Sequence, residues 1–345
     1  MSMNELFEKN ILLFCPSFFE YEKYITTELE DLGARVFRFD ERPANDFFTK
    51  ALIRVDKRVI SRKVVRYYSE VLMEMRHLGV HIDYVLFVNP EAVDASILNE
   101  IKTIYKDALY ILYMWDSFRN KKKTKELLPF FDLKYTFDPE DARMYGLQLR
   151  PLFFIKPYSF ARSVQNYDLL FIGTAHSDRY EFVKKLVART KKQLVIKSYF
   201  YLSSRILFLV KKLRDISFWK VRYSDISYRA LSHSENANLM HQSKVILDIN
   251  HPQQLGLTMR TFETIGSQRK LVTTNADIRN YDFYNENNVL ILDRENPVID
   301  EAFFDKPFLP YSSDILFKYS IKGWIFSLFN LGDLHKTSEA KVIQA

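Results

Sequence analysis

Apolar residues fall along this chain in two kinds of short block, and the two kinds alternate. Short apolar runs, rich in β-branched and aromatic residues and bounded by Gly, Pro, Asn or Asp, predict strands over 11–15, 34–40, 83–88, 108–115, 133–137, 167–174, 193–200, 244–250, 270–274 and 289–292. Between them, apolar residues three and four apart predict helices over 20–32, 47–78, 95–105, 178–189 and 234–242. Strand alternating with helix argues an α/β fold, a parallel sheet with helices on both faces. At 345 residues the chain exceeds what one hydrophobic core usually supports, so two domains are expected. The segment 150–167 carries Pro151 and Pro157 and no helical period, and reads as the linker. The division is then 1–158, 159–310, and a helical tail over 311–345 that packs back on the first domain.

In parallel sheets ligands gather at the carboxyl ends of strands. That rule selects Pro16–Glu20, Asn89, Asp116 and Asp138 in the first domain. In the second it selects the Gly173-Thr174 turn, whose glycine admits close backbone approach, and the stretch 253–275. Gly256 sits in a loop before a short helix, with Thr258 at the N-cap position, where its hydroxyl is expected to take a first-turn N–H. Met259, Phe262 and Ile265 fall on a core-facing side. Arg260, Glu263 and Thr264 fall on another and can converge on one ligand. Backbone N–H groups and the dipole at a helix start favour an anion. A guanidinium there adds a fork for phosphate, and a carboxylate one turn later can accept two hydroxyls of a ribose. The combination points to a nucleoside diphosphate.

The run Leu-Gly-Leu-Thr-Met-Arg-Thr-Phe-Glu-Thr-Ile-Gly, residues 255–266, resembles the nucleotide-sugar motif of GT-B glycosyltransferases, especially the CgeB-like bacterial group. The Asp-x-x-Phe-x-Gly-Thr of residues 168–174, with Arg179 nearby, is similar to the opening of that group's second domain. The resemblance covers most of residues 83–330 and is most specific in the second half. It implies two Rossmann-like domains facing a cleft, with Glu263 on the donor ribose and Arg260 on its diphosphate. It also implies a donor site of Gly173, Thr174, Arg179, His251, Gly256 and Thr258, and no cofactor or metal. The implied activity is a hexosyltransferase that uses a nucleotide sugar on a glycan or lipid-linked acceptor in bacterial surface polysaccharide or lipopolysaccharide assembly. Leu255 stands where retaining relatives carry an earlier glutamate, so the stereochemistry stays open. An epimerase of the same architecture is the alternative within the resemblance.

Composition narrows the remaining classes. Apolar residues make up 47% and charged residues 27%, a globular balance. Only eight glycines are present and no Gly-x-Gly-x-x-Gly, which argues against a dinucleotide fingerprint or P-loop. Cys15 stands alone, excluding an internal disulfide and a cysteine zinc site and agreeing with a reducing cytoplasm. The first ten residues lack signal-peptide character, and no apolar run is long enough to cross a bilayer. The net charge of +7 suits anionic partners, yet no nucleic-acid motif accompanies it, so a non-catalytic basic protein ranks third.

An inverting transfer needs a base, and Asp116 is the choice over Glu20, Asp138 and Glu91 because it ends the most apolar strand. The alternative role for Asp116 is to cap a turn. His251, and His176 with Ser177, are placed to touch sugar or phosphate, although a structural hydrogen bond is the commoner duty of a lone His. Segment 203–223 combines Phe208, Phe218 and Trp219 with six cations. It reads either as a core helix with a basic face or as a contact for anionic membrane, giving a peripheral location. The run 119–125, with five cations, reads as a solvated loop or as part of the same basic face.

Overall fold

The structure is a computed structural model that describes residues 5–44, 57–175, 178–190 and 193–331. It divides into two compact units: Met1–Pro151 together with Ile321–Ala345, and Leu152–Ser320. Each is built on its own six-stranded parallel sheet, so the protein is α/β with two Rossmann-like sheets.

In the first unit the strands are β1 (Asn10–Phe14), β2 (Arg35–Phe39), β3 (Tyr84–Val88), β4 (Leu109–Met114), β5 (Leu133–Thr136) and β6 (Gln148–Leu149), ordered β2-β1-β3-β4-β5-β6. The inner strands are apolar at nearly every position because helices cover both faces. Leu12 and Phe14 pair in register with Val85 and Phe87, and the two phenylalanine rings stack at 4.5 Å. Helix Lys57–Leu78 packs Val64, Tyr68, Val71, Leu72 and Met75 onto this core. The expected helical stretch 47–56 lies outside the described residues.

In the second unit the strands are β7 (Tyr167–Thr174), β8 (Ile196–Tyr201), β9 (Ile226–Ser227), β10 (Ser243–Asp248), β11 (Lys270–Thr273) and β12 (Val289–Ile291). Their order is β12-β11-β10-β7-β8-β9. From β7 the chain winds outward through β8 and β9, then returns to β10 on the other side. The order therefore reverses between β7 and β10, and a crevice opens beyond the carboxyl ends of those two strands.

The boundaries follow side chains that the proline-rich pattern conceals. Residues 152–158 belong to the second unit, where the Tyr158 hydroxyl meets His233 Nδ1 at 2.9 Å and the Phe154 ring lies against Gly266. The tail splits. Helix Ser313–Tyr319 stays with the second unit, its Tyr319 carbonyl accepting from Phe154 N–H at 2.9 Å. Helix Ile321–Leu328 returns to the first, where buried Trp324 meets Tyr113 edge-on at 4.8 Å. The 119–125 run is solvated at Arg119, Lys122, Lys123 and Lys125, while Lys121 is buried and paired with buried Glu91 at 2.7 Å.

Candidate functional site

The switch point of the second sheet gathers most of the donor residues expected from the sequence. Helix Met259–Gly266 follows the carboxyl end of β10 and is buried along nearly its whole length. Phe262 and Ile265 face the core as expected, and Met259 is half-buried. Thr258 stands at the N-cap position, but its hydroxyl makes no bond to the helix backbone. It donates instead to the Asp248 carboxylate at 2.7 Å, and the Thr261 hydroxyl reaches the same oxygen at 2.8 Å. A buried carboxylate ending β10 outcompetes the backbone for that hydroxyl, which corrects the capping expectation.

Arg260 and Glu263 lie on one face of the helix and bind one another at 2.7 Å, with side-chain exposures of 15% and 5%. The Arg260 guanidinium also meets Met240 Sδ at 3.1 Å and the Ile172 carbonyl at 3.5 Å. Burial, then the nearby Glu263 charge, pushes the Tyr158 phenol well above its ordinary value. The Thr264 hydroxyl donates to the Arg260 carbonyl at 2.7 Å, so it serves the helix.

Arg179 begins the helix after β7. Its Nε donates to the Ile249 carbonyl at 2.9 Å and its Nη1 to the Thr174 hydroxyl at 3.2 Å. These two bonds tie the ends of β7 and β10 together. Burial lowers the Arg179 pKa, and the Asp248 carboxylate works against that shift. A Cβ on Gly173 would stand 2.9 Å from the tip of the Phe171 ring, so an added methyl has to displace that ring. His251 is exposed, and its Nδ1 accepts from Gln253 N–H at 3.3 Å. Gly256 is buried in a loop knitted by Gln254 Nε2 to the Gly256 carbonyl and Asn275 Nδ2 to the Leu255 carbonyl, both 2.8 Å. His176 and Ser177 lie outside the described residues.

A third arginine joins them. Arg294, just after β12, grips Asp178 through Nε at 2.7 Å and the Asn250 carbonyl through Nη2 at 2.7 Å. That guanidinium outweighs burial and holds Asp178 below the usual carboxylate range. Arg294, Asp178 and Asp248 were all missed in the sequence, although each sits just past or at the carboxyl end of a strand. Extending the strand-end rule to 289–292 and 244–250 would have selected Arg294 and Asp248. Among the described residues no group of three His, Cys, Asp or Glu side chains stands together as a metal ligand set.

Asp116 belongs to the first unit. It is half-buried beyond β4, and its Oδ1 accepts from Ser117 N–H at 2.9 Å and from Asn120 Nδ2 at 2.8 Å. It closes its own turn, which was the alternative reading.

Segment 203–223 folds as helix Arg205–Arg214 followed by a short turn. Phe208 and Phe218 are buried against each other at 5.6 Å. The apolar residues turned to solvent are others: Ile206, Leu209, Val210, Leu213, Ile216, Trp219 and Tyr223, with Leu213 the most open at 84% exposure. No described helix is long and apolar enough to cross a membrane.

No protein-family model matches the chain. No curated protein matches it either. Solved structures do. HepE from Anabaena, in complex with UDP and glucose, superposes with a TM-score of 0.60 at 11% identity, covering 94% of this chain and 100% of HepE. OtsA superposes with a TM-score of 0.59 at 10% identity, covering 93% and 99%. A further HepE structure, in complex with UDP-glucose, gives 0.58 at 10% identity, covering 93% and 98%. At these identities the likeness is one of fold: the two-sheet α/β architecture of GT-B enzymes.

Proposed function

We propose that the protein is a glycosyltransferase of the CgeB-like kind, moving a hexosyl group from a nucleoside-diphosphate donor without a metal. The carrying observation is three arginines, Arg179, Arg260 and Arg294, converging at the β7/β10 switch point beside Gly173, Thr174 and Glu263. Donor binding takes the Arg260 fork onto the diphosphate and leaves Glu263 to accept the ribose hydroxyls, with Thr258, Gly256 and His251 completing the loop around them. When the bond between anomeric carbon and phosphate oxygen breaks, the leaving diphosphate gains charge, and fixed guanidinium groups stabilise it. Asp116 is the proposed base for the acceptor hydroxyl, which assigns acceptor binding to the first domain and donor binding to the second. That HepE has the same fold and was solved with UDP-glucose supports a nucleotide sugar as donor.

The acceptor is proposed to be a glycan or lipid-linked glycan of bacterial surface polysaccharide, met at the cytoplasmic face of an anionic membrane. Seven exposed apolar side chains interleaved with Arg205, Lys211, Lys212, Arg214, Lys220 and Arg222 support that location. Liposome co-sedimentation should lose the variant with Lys211, Lys212 and Arg214 changed to Glu. Equal binding by both proteins removes the membrane from the reading.

The donor assignment is tested by calorimetry against a panel of nucleoside diphosphates and nucleotide sugars. One should bind specifically, and Glu263→Gln should weaken it by about 1–3 kcal/mol. Asp116→Asn should abolish turnover with an acceptor extract at nearly unchanged donor affinity. If no nucleotide binds, the reading fails. If nucleotide sugar is isomerised with no acceptor present, the enzyme is an epimerase.

A further inference from the structure

The second unit has a cavity of about 430 Å³ that is not at the switch point. Gln165 lies two residues before β7, Lys244 is the second residue of β10, and Lys270 opens β11. The cavity therefore opens at the amino-terminal edge of the sheet, opposite the arginine rim. Along β10, Lys244 and Asp248 are about 13 Å apart at the usual strand rise.

Its lining is cationic. Lys244, Arg269, Lys270 and Lys306 face it together with Phe160 and Phe304, and no carboxylate lines it. Lys244 is answered by Asp168 at 2.7 Å. Arg269 is not answered in kind. Arg269 is only 7% exposed, yet its partners are two carbonyls, Gln268 at 3.2 Å and His241 at 2.8 Å, and its buried Nε has none. Lys270 is 5% exposed and donates to the carbonyls of Phe303, at 2.5 Å, and of Lys306. Burial lowers the pKa of both groups; at Lys270 the Lys306 charge adds to that shift and the Asp305 carboxylate opposes it. Holding the Arg269 guanidinium buried without a counter-anion is costly, and carbonyl dipoles offset only part of that cost. An anion would complete the arrangement. The Phe160 ring, 5.5 Å from the Arg269 guanidinium, and the Phe304 ring give an apolar wall beside the charge. The volume falls in the range of small-molecule sites.

We infer that this cavity is a second ligand site, independent of the donor site, that takes a small phosphate monoester carried on an aromatic or short apolar body. The phosphate meets the Arg269 guanidinium and Lys306, and the body lies against Phe160 and Phe304. A ligand there would brace the first residues of β10 and β11, the strands whose other ends bear Asp248 and Thr273.

The probe is phenyl phosphate, titrated calorimetrically into the full chain at constant ionic strength beside phenol and inorganic phosphate. Phenyl phosphate should bind at least fivefold tighter than either. Lys306→Glu, on the surface, should weaken it at least tenfold, and Arg269→Gln likewise where that variant folds. Hydrogen exchange should show protection by phenyl phosphate at 268–271 and 304–308. Equal affinity for phenyl and inorganic phosphate, unchanged binding by Lys306→Glu, or protection confined to 173–179 and 256–264 would each overturn the site, the last by assigning the signal to the donor rim.

Discussion

The two sheets share a scaffold and differ in the charge they gather beyond their carboxyl ends. The first collects carboxylates, and backbone amides answer most of them. Asp40 accepts from Ser17 N–H, Glu41 from Glu91 and Ala92 N–H, Asp138 from Glu140 N–H, and Asp141 from Phe118 N–H. The second collects arginines, answered by side chains and carbonyls. The difference shows in the direction of the carboxylate pKa shifts. Burial pushes Glu41 up to about 7 and Asp141 up to about 6, because amide dipoles offset desolvation only in part. Asp178, held by the Arg294 fork, goes the other way. Asp248, on the arginine rim but bonded to two threonine hydroxyls, is raised too, with burial the leading cause. At half-exposed Asp178 the guanidinium hydrogen bonds outweigh burial, whereas at fully buried Glu41 burial prevails although Arg42 Nε stands 3.5 Å away. A rim of partly neutralised carboxylates suits proton transfer, and a rim of fixed cations suits a polyanionic leaving group.

The sharpest break in this comparison is Glu263→Ala. It strands Arg260 beside a buried site, and removing one partner of a buried ion pair costs about 3–5 kcal/mol. The 15% exposure of Arg260 puts the expected loss near the lower bound. Chemical denaturation checks it, and a loss below about 1 kcal/mol would mean that water already screens the pair.

Gly266→Ala comes next. A Cβ there would stand 2.6 Å from the buried Phe154 ring and 2.9 Å from the Tyr158 carbonyl, and a carbonyl cannot swing aside. Overpacking of that kind costs about 1–3 kcal/mol. Gly173→Ala meets only the Phe171 ring, so it should cost less in the same denaturation assay.

How far the sequence carried this reading depends on the kind of interaction. The strands were legible because β1, β3, β4, β7 and β10 are buried apolar runs whose ends fall within a few residues of the turn signals. Arg260 and Glu263 were legible as a pair because helical spacing fixes their common face. The Thr258 bond was not, since it depends on Asp248, ten positions away and brought close only by the fold. The Arg294–Asp178 contact joins residues 116 positions apart, and no local pattern encodes it. Segment 203–223 gave its amphipathic composition but not its orientation. Phe208 and Phe218 turned inward, and the aliphatic residues between them turned out.

The pH dependence of stability should separate the rims. The folded pKa of Glu41 lies above its ordinary value, so the native state binds the extra proton. The stabilisation is complete well below the ordinary glutamate range and is lost as pH rises through about 7. The slope is at most about 1.4 kcal/mol per pH unit between roughly pH 5 and 7. Asp141 adds the same sign, lost as pH rises through about 6. Asp178 has the opposite sign, because its stabilisation is present at neutral pH and disappears only in strong acid. Melting scans from pH 4 to 8 should therefore show the protein losing stability toward neutrality, and Glu41→Gln should flatten most of that slope. An unchanged slope in the variant would put the proton elsewhere.

The smallest expected effect is also the one that tests what the carboxylate rim is for. Asp116 is half-buried and accepts from Ser117 N–H and Asn120 Nδ2, which is enough to explain a carboxylate at a turn. Its neighbours matter as well: the Asp116 charge raises the Asp141 pKa, though less than burial, Asp138 and Glu140 do. Asp116→Asn keeps an acceptor oxygen for Ser117 N–H and removes one negative charge from a crowded acidic rim. The loss of a charged acceptor and the relief of repulsion then nearly cancel, for a net change below about 1 kcal/mol. Asp141 should lose a little of its upward shift, visible by NMR titration of its carboxyl carbon. If turnover falls by orders of magnitude while the fold barely notices, Asp116 acts on the acceptor hydroxyl. If stability falls by several kcal/mol instead, the turn needs the charge, and the base must be sought among the other carboxylates of the same rim.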